Sequence, residues 1–152
     1  MTTVWLGIVT IFIGFAIVRL ALILVRYRTD IANARERLKR LNSQVIVTDA
    51  GLTEYVRIGD GYPVLVVHGA LGGFDQGLWL ANSFNFSDYQ AISVSRFGYL
   101  RSPVPESANL DLQADAFACL FDALGIRQAA VFAVSSGSTS AISWRVLPSG
   151  FR

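Results

Sequence analysis

Ser135 is the side chain in this sequence best placed to act as a nucleophile. It stands in Ala133-Val134-Ser135-Ser136-Gly137, a small–x–Ser–x–Gly run between an apolar segment, Ala129–Ala133, and a stretch able to form a helix. A sharp strand-to-helix turn lifts such a serine above a sheet on strained backbone. Small residues two before and two after it keep neighbouring chain from clashing. The helix that begins there aims N–H groups and a positive dipole end at the hydroxyl. Ser136 competes for the role, and the run also reads as a serine-rich helix cap. Counting back from Gly137 selects Ser135. The chemistry is addition of a hydroxyl oxygen to an acyl carbon.

A second feature is His68-Gly69-Ala70, directly after the apolar run Val64–Val67 and followed by Gly72-Gly73. A glycine loop lets a backbone N–H come close to a substrate oxygen. It also reads as an ordinary glycine-rich turn with a structural histidine. A phosphate cradle is the rival, but Gly69-Ala70-Leu71-Gly72-Gly73 lacks both the Lys-Ser/Thr of a P-loop and the G-x-G-x-x-G of a dinucleotide site. The third feature is Ser95-Arg96-Phe97-Gly98-Tyr99-Leu100-Arg101-Ser102, after the apolar Gln90–Ser93.

Other chemistries are excluded by counting. The 152 residues contain one cysteine, Cys119, and one histidine, His68, so neither a disulfide within the chain nor a Cys/His metal site can form. No metal and no organic cofactor is implied. Apolar residues make up 53% and charged residues 16%, which excludes a disordered or collagen-like chain.

The elements that must position these residues follow from period and punctuation. Gln44–Thr48 and Leu52–Ile58 read as strands joined by the turn Asp49-Ala50-Gly51, and Val64–Val67 as a strand buried on both faces. Gln76–Phe84 is expected to be helical, Gln90–Ser93 another buried strand, and Leu110–Leu124 a helix with apolar positions at 110, 114, 117, 121 and 124, stopped by Gly125. Ala129–Ala133 is the last buried strand. Two hairpin strands followed by strand–loop–helix alternation argue an α/β domain with a mostly parallel sheet.

In this order and spacing the three features resemble the α/β-hydrolase family, over about Gln44 to Ala141. Val66 to Gly73 is similar to the family's His-Gly oxyanion loop. Arg96, Gly98 and Ser102 match its D-R-x-G-x-G-x-S segment, from which Ser95 and Leu100 depart. Ala133 to Gly137 resembles the nucleophile elbow, with Ala133 where the family usually has glycine. The resemblance implies Ser135 as nucleophile and the N–H groups of Ala70 and Ser136 as oxyanion hole. His68, Gly69, Ala133 and Gly137 would support the loop and the elbow. The substrate it implies is a small molecule with an ester-like or other acyl bond.

The resemblance also exposes a gap. The family's triad runs Ser, then Asp or Glu, then His in chain order. Only 17 residues follow Ser135, without Asp, Glu or His, and His68 lies upstream in the oxyanion-loop position. A serine without a base is a weak nucleophile, and removing such a histidine costs on the order of 10⁶-fold in turnover. The Ala129–Ala133 strand would be left as an open apolar edge. The chain is therefore expected to leave the family pattern near Ser143, by truncation or a frameshift, with Pro148-Ser149-Gly150 where the helix after the elbow would be ending. The expected activity is that of a serine hydrolase, with this chain truncated and inactive. The alternative is a non-catalytic anchored fragment that acts by binding or has no function.

The N-terminus carries a different signal. Val4 to Val25 is an almost unbroken apolar run of 22 residues, interrupted by Arg19. As a helix it extends roughly 33 Å, enough for a hydrocarbon core of about 30 Å. Arg19 lies past the midpoint and can snorkel toward the following basic residues. The run is too long for a signal peptide, and the first five residues carry no Lys or Arg. Residues 1–25 are thus expected to be a single transmembrane anchor. Residues 26–48 carry six Lys/Arg against two acids, a net of +4, whereas residues 49–152 carry a net of −3. That excess suits a membrane surface rather than nucleic acid, and the positive-inside rule puts the globular part in the cytoplasm. Residues 26–43 read as a separate basic amphipathic helix or linker, capped by Thr29 or Asp30 and ended by Asn42. Residues 44–152 form the partial hydrolase domain.

Overall fold

The computed structural model describes residues 2–84 and 88–146. The chain divides at Arg40/Leu41 into two compact units.

The first unit is one helix, α1 (Thr2–Arg40). It has the length and composition of a membrane span, a description that a signal sequence or a core helix would also meet. Its apolar side chains, from Val4 to Val25, are exposed on every side. The second helix expected to begin at Thr29 or Asp30 does not start anew, because α1 runs through both residues. Residues 26–40 contain no glycine or proline to break it, and Thr29 is used within the helix. Its hydroxyl donates to Val25 O at 3.0 Å, one turn back within the same helix, instead of accepting from a downstream N–H as a cap would. The helix ends beside Asn42, whose φ of 50° is the left-handed conformation that stops helices.

The second unit is a five-stranded sheet with helices on both faces. Strands β1 (Gln44–Thr48) and β2 (Gly51–Ile58) form an antiparallel hairpin around Asp49-Ala50, and Gly51 takes a φ of 107° to close it. Strands β3 (Tyr62–Val67), β4 (Tyr89–Val94) and β5 (Ala130–Ala133) follow, separated by helices α2 (Phe74–Ser83) and α3 (Leu110–Ala123). The order across the sheet is β1-β2-β4-β3-β5. β3 lies parallel to β4 and β5, but β2 is antiparallel to both β1 and β4. The sheet is therefore mixed rather than mostly parallel. The hairpin sets β2 against β1, and the separate pairing of Tyr55–Ile58 with Ala91–Val94 sets it against β4.

β3 shows why its sequence is uniformly apolar. Side chains alternate between faces along a strand. Leu65 and Val67 join Ile92, Val94 and the α3 residues Phe117 and Leu120 on one face. Val64 and Val66 meet Ala81 and Ala91 on the other. With both faces covered, no position in Val64–Val67 is left for a polar residue.

Helix limits follow local chemistry. α2 begins at Phe74, two residues before the expected start, since Asp75 takes the Gly73 N–H at 3.0 Å in the first turn. Asn109 caps α3, accepting from Leu112 N at 2.8 Å, and Gly125, at φ 70°, follows its end. α4 (Gly137–Val146) continues past Ser143, and Trp144 packs on Phe121 with ring centroids 5.5 Å apart. Pro148-Ser149-Gly150 lie outside the described residues.

Candidate active site

The site forms where three parallel strands end on the same side of the sheet. β3 delivers His68-Gly69-Ala70, β4 delivers Ser95-Arg96, and β5 delivers Ser135.

Ser135 has a φ of 51°. A side chain in the left-handed region costs of order 1–2 kcal/mol, and such strain concentrates at functional positions. Neighbouring hydrogen bonds over-determine it. Val134 N donates to Val67 O at 3.1 Å, Gly137 N to Val134 O at 2.9 Å, and Ser138 N to Ser135 O at 3.0 Å. Gly137 is required by close approach, since a Cβ there would collide with His68 O. Ala133 sits in β5 opposite Val67 and keeps its strand pairing. Ser135 and Ser136 are exposed, at the start of α4.

The glycine loop lies against this turn. A Cβ built on Gly69 would stand 3.3 Å from Ser135 Cβ, so the two segments lie against each other and even a methyl there would be tight. Gly69 N donates to Gln76 Oε1 at 2.8 Å. Among the described residues, the N–H groups of Ala70 and Ser136 have no hydrogen-bond acceptor. Two donors left open beside a strained, exposed serine make an arrangement that can receive an oxyanion.

His68 is fully buried and has no role to spare. Its Nε2 accepts from Arg96 N at 3.0 Å, so the proton sits on Nδ1, which meets Gly69 O at 2.6 Å. Burial pushes its pKa down to about 4; the hydrogen bond to Gly69 O opposes the shift and the Arg96 charge adds to it. At neutral pH the ring is uncharged, and both nitrogens are engaged in holding the loop.

Several residues that hold the site have no role assigned from sequence, although Arg96 is a motif match. The guanidinium of Arg96 reaches Gly69 O at 3.0 Å, Ser136 Oγ at 2.9 Å and Ser136 O at 3.2 Å. Tyr99 OH donates to Ala70 O at 3.2 Å. Gln76 holds Gly69. Beneath them Glu54 is buried, with its Oε1 accepting from Ser43 Oγ at 2.7 Å and Arg101 Nε at 2.7 Å, and its Oε2 from Arg101 N at 3.0 Å and Ser95 Oγ at 3.2 Å. Burial alone would raise its pKa; the hydrogen bonds from Arg101 and Ser43 outweigh it and hold the carboxyl below the usual carboxylate range. The sequence signal for Arg96 was its place beside Gly98 and Ser102. Glu54 gave none, since a carboxylate in a strand of alternating pattern reads as surface.

The two departures in this segment have structural counterparts. Ser95 has no carboxylate of its own, but its Oγ is bonded to the Glu54 carboxylate from β2 and accepts from Phe74 N at 3.1 Å. Leu100 holds a φ of 50° although it is not glycine. Ser102 is buried, with its Oγ accepting from Glu54 N at 2.9 Å.

No family model and no curated protein matches the chain. Solved structures do. An α/β-hydrolase fold protein from Nakamurella multipartita is 41% identical at a TM-score of 0.62, over 65% of this chain and 34% of that one. An epoxide hydrolase from an endophytic Streptomyces is 25% identical at a TM-score of 0.60, over 69% of this chain and 33% of that one. An esterase from Exiguobacterium antarcticum is 20% identical at a TM-score of 0.61, over 69% and 40%, a likeness of fold. The chain thus spans about a third of the length of the first solved structures it resembles. Its second unit has an α/β-hydrolase-like fold built on a mixed five-stranded sheet, and its structural neighbours are hydrolases.

Proposed function

We propose that this chain carries the nucleophile half of a membrane-anchored serine hydrolase acting on an ester-like or other acyl bond. The observation that carries the reading is Ser135 at φ 51°, on a strand–turn–helix, pressed against Gly69. In the reaction, Ser135 Oγ bonds to the acyl carbon while its proton passes to a base. The carbonyl electron pair moves onto oxygen, where the N–H groups of Ala70 and Ser136 receive the charge. Collapse expels the alcohol or amine, which takes the proton back from that base, and leaves an acyl-Ser135, which water then cleaves by the same path. Each oxyanion donor in such a site is worth about 10²–10³-fold.

These 152 residues lack the base. His68, the one histidine, is buried and committed through both ring nitrogens. On this reading the chain by itself is inactive or nearly so, and catalysis needs a base that these 152 residues do not supply. The same observation favours a second reading, a non-catalytic anchored fragment that works by contact. The diverse bonds cleaved by the neighbours leave the substrate open, since a fold hosts many chemistries.

A fluorophosphonate probe, applied to the full chain in detergent micelles with and without added imidazole, separates the two. Labelling that imidazole accelerates and Ser135→Ala abolishes supports the nucleophile. Folded protein that stays unlabelled at high imidazole supports the fragment. The anchor reading places Val4–Val25 across the bilayer and the second unit in the cytoplasm, supported by the apolar length of α1 and the basic residues that follow it. Retention in the membrane pellet after carbonate extraction is the expected result; release into the supernatant would contradict it.

A further inference from the structure

The peptide group between Gly69 and Ala70 is gripped from its carbonyl end. Gly69 O lies 3.0 Å from Arg96 Nη2 and 2.6 Å from His68 Nδ1, and both nitrogens carry protons. Among the described residues no peptide bond is cis, so the Ala70 N–H projects from the opposite side of the same plane. The guanidinium also reaches across to the nucleophile turn, with Nη2 on Ser136 Oγ and Nη1 on Ser136 O. Tyr99 braces this fork. Its ring lies 5.2 Å beneath the Arg96 guanidinium and meets the His68 ring at 4.5 Å, and its hydroxyl holds the next carbonyl, Ala70 O.

We propose that Arg96 is a positioning residue that sets both the aim and the donor strength of the Ala70 N–H, and that ties the glycine loop to the Ser135 turn. The inference rests on Ser135 as nucleophile with Ala70 and Ser136 as donors. A charge-assisted hydrogen bond on a carbonyl draws density from its amide and makes the attached N–H a stronger donor. The planar fork matters as well as the charge, because an ammonium cannot hold Gly69 O and both Ser136 oxygens in one plane.

Each donor should mark the amide proton of the peptide whose carbonyl it holds. The test is the ¹⁵N–¹H spectrum of the full chain in detergent micelles, for wild type, Arg96→Gln, Arg96→Lys and Tyr99→Phe. Arg96→Gln is expected to move the Ala70 and Gly137 amide protons upfield, the partners of Gly69 O and Ser136 O. Arg96→Lys should recover part of the Ala70 shift. Tyr99→Phe should move Leu71, the partner of Ala70 O, and leave Ala70 in place. Loss of a merely structural tie would instead spread small shifts over the loop without this pairing. An Ala70 proton unmoved in a folded Arg96 variant overturns the proposal, as does Tyr99→Phe shifting it equally. If Arg96→Gln does not fold, Arg96→Lys decides by the same criterion. Butylboronic acid, which forms a tetrahedral adduct on a nucleophilic serine, keeps the two readings apart. Absence of an adduct on wild type with imidazole added as the base refutes the serine reading, whereas the Ala70 shift refutes or supports Arg96 alone.

Discussion

Acidification should unlock His68, and the size of the effect can be worked out. Its folded-state pKa is near 4, against an ordinary value of 6.5. The unfolded chain therefore binds more protons between those values, and stability must fall as pH falls. The contribution is complete above pH 6.5, declines by at most about 1.4 kcal/mol per pH unit, and is gone below pH 4. The full span is worth about 3 kcal/mol, a large fraction of the stability of a small domain. Protonation would put a cation beside Arg96 and remove the acceptor of its backbone N–H. Because Glu54 is also depressed, its stabilising contribution is lost in the same direction at lower pH, so the His68 term is read against the non-titrating His68→Gln. Urea unfolding followed by tryptophan fluorescence at several pH values from 7 to 4 gives the difference between the two chains. It should be largest at pH 7 and shrink toward pH 4. Since His68 is the only histidine, its Hε1 resonance also titrates without ambiguity. A resonance that titrates near 6.5, or a stability difference constant with pH, would refute the account of the ring as buried and doubly bonded.

Three further perturbations probe the framework. Ser135→Gly relieves a left-handed side chain that is exposed, so it should be about 1 kcal/mol more stable than Ser135→Ala by urea melts, while both lose probe labelling. Glu54→Gln removes the charge that receives two bonds from Arg101 and should cost about 2–3 kcal/mol; a cost below 0.5 would show that the buried carboxylate is dispensable. Asn109→Ala should cost about 1 kcal/mol by loss of the α3 cap, with no effect on the Ala70 and Ser136 amide resonances.

Local pattern was enough where one physical cause acts along the chain. Uniform apolarity marked Val64–Val67 as a strand covered on both faces, Gly125 marked the end of α3, and the spacing of Ala133, Ser135 and Gly137 marked a turn that requires small residues. The length of Val4–Val25 marked a helix of spanning dimension. What sequence could not decide depends on partners distant along the chain. The mixed sheet arises because β2 pairs with β4 some 35 residues on, which no local period encodes. α1 runs unbroken past Asp30 because a potential cap residue is used only if the helix needs a start. In the sequence Arg96 is a motif match without a role, His68 a loop residue in the oxyanion position, and Glu54 one strand residue among others. Only in the folded chain do three strand ends meet, so that Arg96 bridges two loops, His68 spends both nitrogens on them, and Glu54 becomes the buried acceptor beneath. Side-chain chemistry is written in the sequence, but a hydrogen bond needs its partner within about 3 Å, and that distance is a property of the fold.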